Sequence, residues 1–166
     1  MSTNNPLIID VIEDNLDKET VAHITPNEGV RAVFFLEGEV CLVHYESTDR
    51  YTLPGGGKEK NETFTEALAR EIKEETGYTM IDATPSVIIR EYFTDSVWHH
   101  YYYSVHVEKQ AQANALTGEE ETLGLKPVFK PLSEALEILA FQPTHKIEHK
   151  QINNRELLGL MHSIEK

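Results

Sequence analysis

Residues 63–76 read as one amphipathic helix whose inward face carries acid, and that combination restricts what the rest of the chain can be. Thr63 and Glu66 have the spacing of a capping box, and Gly77 supplies the C-terminal stop. With Phe64 set at zero on a helical wheel, Ala67, Leu68 and Ile72 fall at about −60°, +40° and +80° and define the buried arc. Glu71 and Glu75 fall at about −20° and +20°, inside that arc, and Glu74 at about −80° borders it. Three carboxylates therefore converge where the helix meets the protein. At roughly 6 Å and an effective dielectric near 20, each like-charged pair costs about 3 kcal/mol. Lys73 points to the far face, and Arg70 reaches Glu74 but cannot balance three charges alone. Either some of these carboxylates hold protons at neutral pH, or they surround a divalent cation, for which all-oxygen ligation suits Mg²⁺ or Mn²⁺.

Composition narrows the class. The chain has 166 residues, with 15 Lys plus Arg against 28 Asp plus Glu, so the net charge is 15 − 28 = −13. One domain spanning 1–166 is the expectation at this length. The negative balance argues against a nucleic-acid polymer as partner, because phosphate contacts need cationic side chains. An acidic protein that handles an anionic substrate must recruit positive charge, most simply as a bound cation. The single cysteine, Cys41, excludes an internal disulfide and lies in the apolar run 40–43, where a buried inert thiol is expected. No secretory signal and no apolar stretch of about 20 residues is visible, so the expectation is a cytoplasmic protein with no membrane association.

Strand-like runs cover 7–13, 30–36 and 40–45, the last two forming a hairpin around Glu37-Gly38-Glu39. Residues 50–53 are short and extended, and Pro54 with Gly55, Gly56 and Gly57 reads as a turn that stops them. Further strands are expected at 86–93, 97–107 and 123–129, with a polar loop at 108–120. A short helix begins at Ser133, and a last helix after Pro143 runs to the end, with Leu157, Leu158, Met161 and Ile164 as its apolar stripe. Strands on both sides of an early helix, with more helix at the end, indicate a mixed α/β sandwich.

The glycines and the acidic helix belong to one pattern: Gly56, five residues, Glu62, seven residues, Arg70-Glu71-Ile72, one residue, Glu74-Glu75, one residue, Gly77. Leaving aside the apolar Ile72, seven fixed positions at frequencies near 7% match somewhere in this chain by chance on the order of one time in a million. This run, 56–78, resembles the Nudix box, and the chain is similar to the Nudix hydrolase (MutT-like) family. Tyr78 stands where the family pattern usually has an aliphatic residue. The likeness extends more loosely to the flanking strands and to residues 128–132.

The resemblance implies the Nudix fold, an α/β/α sandwich with a mixed β-sheet. It implies that Glu71, Glu74 and Glu75 hold Mg²⁺, with Mn²⁺ a substitute, and that Gly55 adds its backbone carbonyl. Glu62 and Arg70 resemble the box's ion pair, with Arg70 orienting a metal-binding glutamate. Gly56 and Gly57, lacking side chains, let the backbone approach a nucleotide substrate. Family members hydrolyse a nucleoside diphosphate linked to another moiety by water attack at phosphorus. Glu71 is one candidate general base, and Glu120, in the run Glu119-Glu120-Glu121, is another. Alternatives within the family are pyrophosphohydrolysis of oxidised nucleoside triphosphates and a non-catalytic nucleotide-sensing domain. An isomerase on this scaffold would want a reactive cysteine, which Cys41 does not offer.

Other features carry less. His145 and His149 are four apart but lack a metalloprotease order between them, which favours a surface helix pair. The aromatic run 98–103 could stack on a base, although in a strand alternate members fill the core. Arg31, Arg50 and Arg90 are candidate phosphate contacts by residue type. The N-terminal strand and C-terminal helix could support a homodimer, and packing within their own domain explains their apolar residues equally well.

Overall fold

A computed structural model describes residues 5–109, 111 and 124–164. The strands are β1 (Leu7–Ile12), β2 (Asn27–Val33), β3 (Phe35–Leu36), β4 (Glu39–Tyr45), β5 (Arg50–Thr52), β6 (Gly55–Gly57), β7 (Met80–Tyr92), β8 (Val97–Val107) and β9 (Leu125–Pro131). The helices are α1 (Phe64–Thr76), α2 (Leu132–Phe141) and α3 (Ile147–Met161), with a 3₁₀ turn at Lys18–Val21. One mixed sheet has the order β1-β7-β8-β2-β6, in which β1 with β7 and β8 with β2 are parallel and the other pairs antiparallel. In the second sheet β4 pairs with β9 along residues 39–45 and with β3 and β5 at its two ends.

Alternation along the strands builds a core on each side of the sheets. Val30, Ala32, Tyr103, Val105 and Val107 pack with Ala67, Leu68 and Ile72 of α1. Val33, Val87, Ile89 and Tyr102 point the other way, onto Ala135 and Leu139 of α2 and Leu160 of α3. The result is a mixed α/β fold with helices on both faces, the α/β/α sandwich expected from the sequence.

Several expectations shift. The run 30–36 is not one strand, because the chain leaves β2 after Val33 and enters the second sheet as β3. The hairpin between β3 and β4 closes through Glu37 and Gly38, both at positive φ, as a two-residue turn requires. The three glycines form strand β6, not only a turn, since three backbones side by side with β2 need no side chain to pair. β7 starts at Met80, six residues earlier than its apolar pattern suggests, because its first half pairs with β8 through register shifts at Met80/Asp82 and Pro85/Val87 that break the regular alternation. Of the apolar stripe expected on the last helix, Leu157 and Leu158 pack against the core, whereas Met161 and, past the end of α3, Ile164 are exposed, and Asn153, Glu156 and Leu160 are buried.

That side of the helix holds a buried polar network. Arg155 donates from Nη1 to Glu91 Oε1 (2.8 Å) and from Nη2 to Glu156 Oε1 (2.8 Å), and His100 Nε2 lies 2.9 Å from Glu91 Oε1. Burial, then the Arg155 charge, pushes His100 down from 6.5 to about 4. Burial alone would raise Glu91, but the His100 hydrogen bond and the Arg155 charge hold it at about 2. Both groups bind protons more weakly when folded than unfolded. The contribution of this pair to stability is therefore expected to fall as pH drops from 6.5 to 4 through His100, and from 4.5 to 2 through Glu91. The His100 ring titration, followed by NMR from pH 8 to pH 3, checks this; a midpoint at the ordinary 6.5 would remove His100 from the account.

Candidate active site

The site forms where α1 lies against β6. Thr63 caps α1 with its side chain accepting from the Glu66 amide, Glu66 returns the bond to the Thr63 amide, and Gly77 closes the helix in the left-handed conformation. This fixes the rotation of the helix, and Glu71 and Glu75 turn inward to 5% and 1% exposure. A carboxylate this deep must be answered by donors. The Gly55 amide donates to Glu75 Oε1 at 3.0 Å. Glu75 also shares a side-chain hydrogen bond with Glu71, and burial, then the Glu71 charge, pushes its carboxyl well above the usual range despite the nearby Arg31 cation.

Two of the three glycines are required for different reasons. A Cβ on Gly55, whose φ is +148°, would lie 2.0 Å from the Val30 carbonyl oxygen. A Cβ on Gly56 would lie 2.6 Å from Glu71 Oε1, within the space that the carboxylate occupies. Gly57 has nothing within 4 Å of that position.

Arg70 is the hub of the outer half. Its Nε and Nη2 donate to the two oxygens of Glu62 at 3.1 and 2.6 Å, a bidentate pair. Its Nη1 donates to Glu71 Oε1 at 2.9 Å and to Glu74 Oε2 at 3.3 Å, and Nη2 also reaches the Gly57 carbonyl at 3.2 Å. The Arg70 hydrogen bond holds the Glu62 carboxyl down at about 2. One guanidinium thus touches Glu62, Glu71, Glu74 and the glycine strand together.

The convergence expected of Glu71, Glu74 and Glu75 is looser than the helical wheel suggests. Among the described residues no three Asp, Glu, His or Cys side chains stand together as a ready metal cage. Arg70 Nη1 sits between Glu71 and Glu74, while Glu75 turns to the Gly55 amide. The donor set nonetheless fits a hard divalent cation: Glu71 and Glu75 as two inward carboxylates in contact, Glu74 sharing Arg70 with Glu71, and a Gly55 carbonyl whose second lone pair is not used by Arg31.

The other candidates fall elsewhere. Glu119, Glu120 and Glu121 lie outside the described residues. Arg90 pairs with Asp10 at 2.7 and 3.2 Å across β1 and β7. Arg50 ties Pro143 and Asn153 to β5, so neither arginine offers a phosphate contact. Cys41 is buried in the core, where burial raises its thiol above the ordinary range. The His145 amide donates to His149 Nδ1 at the start of α3. Within the aromatic run, Tyr102 and Tyr103 face opposite cores and Trp98 stacks on His100. The residues missed from sequence are Glu156, Arg155 and Glu91; His100, read from sequence within the base-stacking run, belongs to their buried network. Asn153, Glu156 and Leu160 are spaced three and four apart, so the wheel that exposed Glu71 would also have shown Glu156 facing inward.

Comparison with known proteins adds the lineage. Residues 7–12, 27–57 and 64–107 build the frame, and the part of the chain from 25 to 152 matches the model of the NUDIX domain. A Bacillus subtilis (strain 168) protein named "Putative ADP-ribose pyrophosphatase YjhB" is 36% identical over 81 residues, 49% of this chain and 37% of that protein. The chain therefore spans little more than a third of the length of this curated relative. A NUDIX hydrolase from Nitrosomonas europaea superposes with a TM-score of 0.60 at 18% identity, covering 85% of this chain and 95% of that one. A MutT NUDIX hydrolase from Burkholderia pseudomallei does so with a TM-score of 0.58 at 18% identity, covering 83% and 98%. The solved structures share the fold, and the matched stretch contains the whole acidic helix with its glycine strand. The chain belongs to the NUDIX domain family.

Proposed function

We propose that the chain is a divalent-cation-dependent hydrolase that cleaves the diphosphate linkage of a nucleoside diphosphate derivative by attack of water at phosphorus. The observation that carries this reading is the single guanidinium of Arg70 bonded at once to Glu62, Glu71, Glu74 and the Gly57 carbonyl. Such an array fixes carboxylates at the edge of a side-chain-free strand, where an extended anionic substrate can lie against backbone. Glu71, Glu74 and Glu75 with the Gly55 carbonyl would hold Mg²⁺ or Mn²⁺. A bound dication supplies the positive charge that a chain of net −13 lacks toward a diphosphate, and lowers the pKa of the attacking water.

The chain's own residues do the positioning. Glu62 holds Arg70 by two hydrogen bonds, and Arg70 in turn orients Glu71 and Glu74. Glu71, buried beneath Gly56, is the general base we assign among the described residues. Gly56 and Gly57 leave the substrate face of β6 open. Replacing Glu62 with glutamine keeps one acceptor for Arg70 and removes the charge. Glu62→Gln is expected to lower kcat about tenfold, less than loss of a ligand, with the melting temperature nearly unchanged.

The test is a panel of nucleoside diphosphate derivatives and nucleoside triphosphates with Mg²⁺, scored by phosphate released after a coupled phosphatase. ADP-ribose heads the panel because the Bacillus subtilis relative carries that substrate in its name. Turnover of a diphosphate derivative supports the reading. Turnover of triphosphates alone would replace it with a MutT-type pyrophosphohydrolase, and none at all would favour a nucleotide-sensing domain.

A further inference from the structure

Five backbone groups of the turn 53–55 are engaged, and two of the side chains that hold them come from outside the acidic helix and its glycine strand. The Ala32 amide donates to the Pro54 carbonyl (2.8 Å), and the Gly55 amide donates to Glu75. The Leu53 amide donates to Glu156 Oε2 of α3 at 2.8 Å, across 103 residues of sequence. Arg31 of β2 donates from one atom, Nη1, to the carbonyls of Leu53 (3.2 Å) and Gly55 (3.1 Å). These two holders face each other, with Arg31 Nε 3.6 Å from Glu156 Oε1. Glu156 is fully buried and is fixed in turn by the Tyr102 hydroxyl (3.1 Å) and Arg155 Nη2 (2.8 Å).

Stability is a weak reason for this arrangement. Burying an ion pair costs several kcal/mol of desolvation, and well-packed apolar replacements are often neutral or better. What apolar side chains cannot do is grip peptide groups. A guanidinium bridging two carbonyls on either side of one residue fixes the rotation of the peptides between them. Gly55, at φ +148°, is the residue whose carbonyl that rotation aims.

We propose that Arg31 and Glu156 are positioning residues: they hold the backbone of Leu53–Gly55 so that the Gly55 carbonyl and Glu75 address the same cation. The inference rests on the metal reading above and deepens it, because it makes a helix far along the chain a determinant of metal affinity. Arg31 then acts by orienting a ligand, not by contacting phosphate.

Mn²⁺ binding to the full chain, followed by the electron paramagnetic resonance signal of free Mn²⁺, tests it in the wild type, Arg31→Lys, Glu156→Gln and Leu139→Ala. Each protein is also melted thermally. Arg31→Lys keeps the charge without the planar fork, and Glu156→Gln keeps an acceptor for the Leu53 amide without the charge. Leu139 is fully buried in the same apolar cluster as Leu53 and supplies no hydrogen bond or charge to the turn or the pair, so its truncation removes packing while leaving both polar holders in place. Both polar variants are expected to weaken Mn²⁺ binding about tenfold, and to raise the Mg²⁺ concentration for half-maximal turnover similarly. At saturating Mg²⁺ their kcat recovers. Leu139→Ala keeps wild-type metal affinity in spite of a lower Tm. If Leu139→Ala loses as much affinity as the polar variants, affinity simply follows stability and the proposal is overturned. If Arg31→Lys does not fold, Glu156→Gln, which is isosteric, decides alone. Wild-type uptake with both polar variants unmoved overturns this inference only, whereas a wild type that takes up no Mn²⁺ overturns it together with the metal reading.

Discussion

Glu75→Gln is expected to lower Mg²⁺-dependent turnover by about a hundredfold or more while leaving the metal-free chain at least as stable as the wild type. Glu75 is 1% exposed, accepts from the Gly55 amide and lies against Glu71. Glutamine keeps the carbonyl oxygen that takes the Gly55 bond and removes one of two like charges from a buried place. Turnover falls because a neutral amide is a poor ligand for a hard dication. Stability does not fall, because the folded state holds the Glu75 proton more tightly than the ordinary 4.5. The Glu75 contribution to stability without metal therefore declines as pH rises above 4.5 toward the raised value, opposite in sign to that of His100, and the difference between wild type and variant isolates it. Glu74→Gln should lose turnover to a similar degree without gaining stability, since Glu74 is partly exposed and bonded to Arg70. Steady-state kinetics and thermal melts of both variants, with and without Mg²⁺, check this; full hydrolysis retained in both would refute the metal assignment.

Gly55→Ala carries the largest expected loss of stability. A methyl there meets the Val30 carbonyl oxygen at 2.0 Å and the Arg31 Cα at 2.9 Å, and φ +148° is strained for any L side chain. Neither contact can yield without parting β6 from β2, so the loss should reach about 4 kcal/mol or more. The next two glycines give a graded comparison. Gly56→Ala drives a methyl against the Glu71 carboxylate, so activity should collapse with a smaller change in melting. Gly57→Ala meets nothing within 4 Å and should melt close to the wild type. Chemical denaturation of the three variants reads the order directly, and equal midpoints would contradict the strand geometry.

Much of the acidic helix was legible because its determinants are local. The Thr63–Glu66 box, the Gly77 stop and the inward rotation of Glu71 and Glu75 all follow from residues within one element. The limits of the same reading show at α3. Its apolar residues point to a stripe of Leu157, Leu158, Met161 and Ile164; the first two pack on the core, but Met161 and Ile164 are exposed, and Asn153 and Glu156 turn inward with Leu160. Hydrophobicity selects the buried face only when the core opposite is apolar, and here it contains Glu91 and His100, which Arg155 of α3 meets. The turn at Gly55–Gly57 was likewise legible as backbone without side chains, but not as a strand, since pairing with β2 is a property of two segments.

Sequence alone determined which side chains gather on the inner surface of α1 and that three carboxylates there need a counter-charge, because helical periodicity and Coulomb repulsion act over one or two turns. Only the tertiary structure decided what holds the Gly55 turn beside that cluster: Arg31 from β2 and Glu156 from α3. Those partners are brought together by sheet register and helix docking across as many as 103 residues, distances over which no local spacing rule operates.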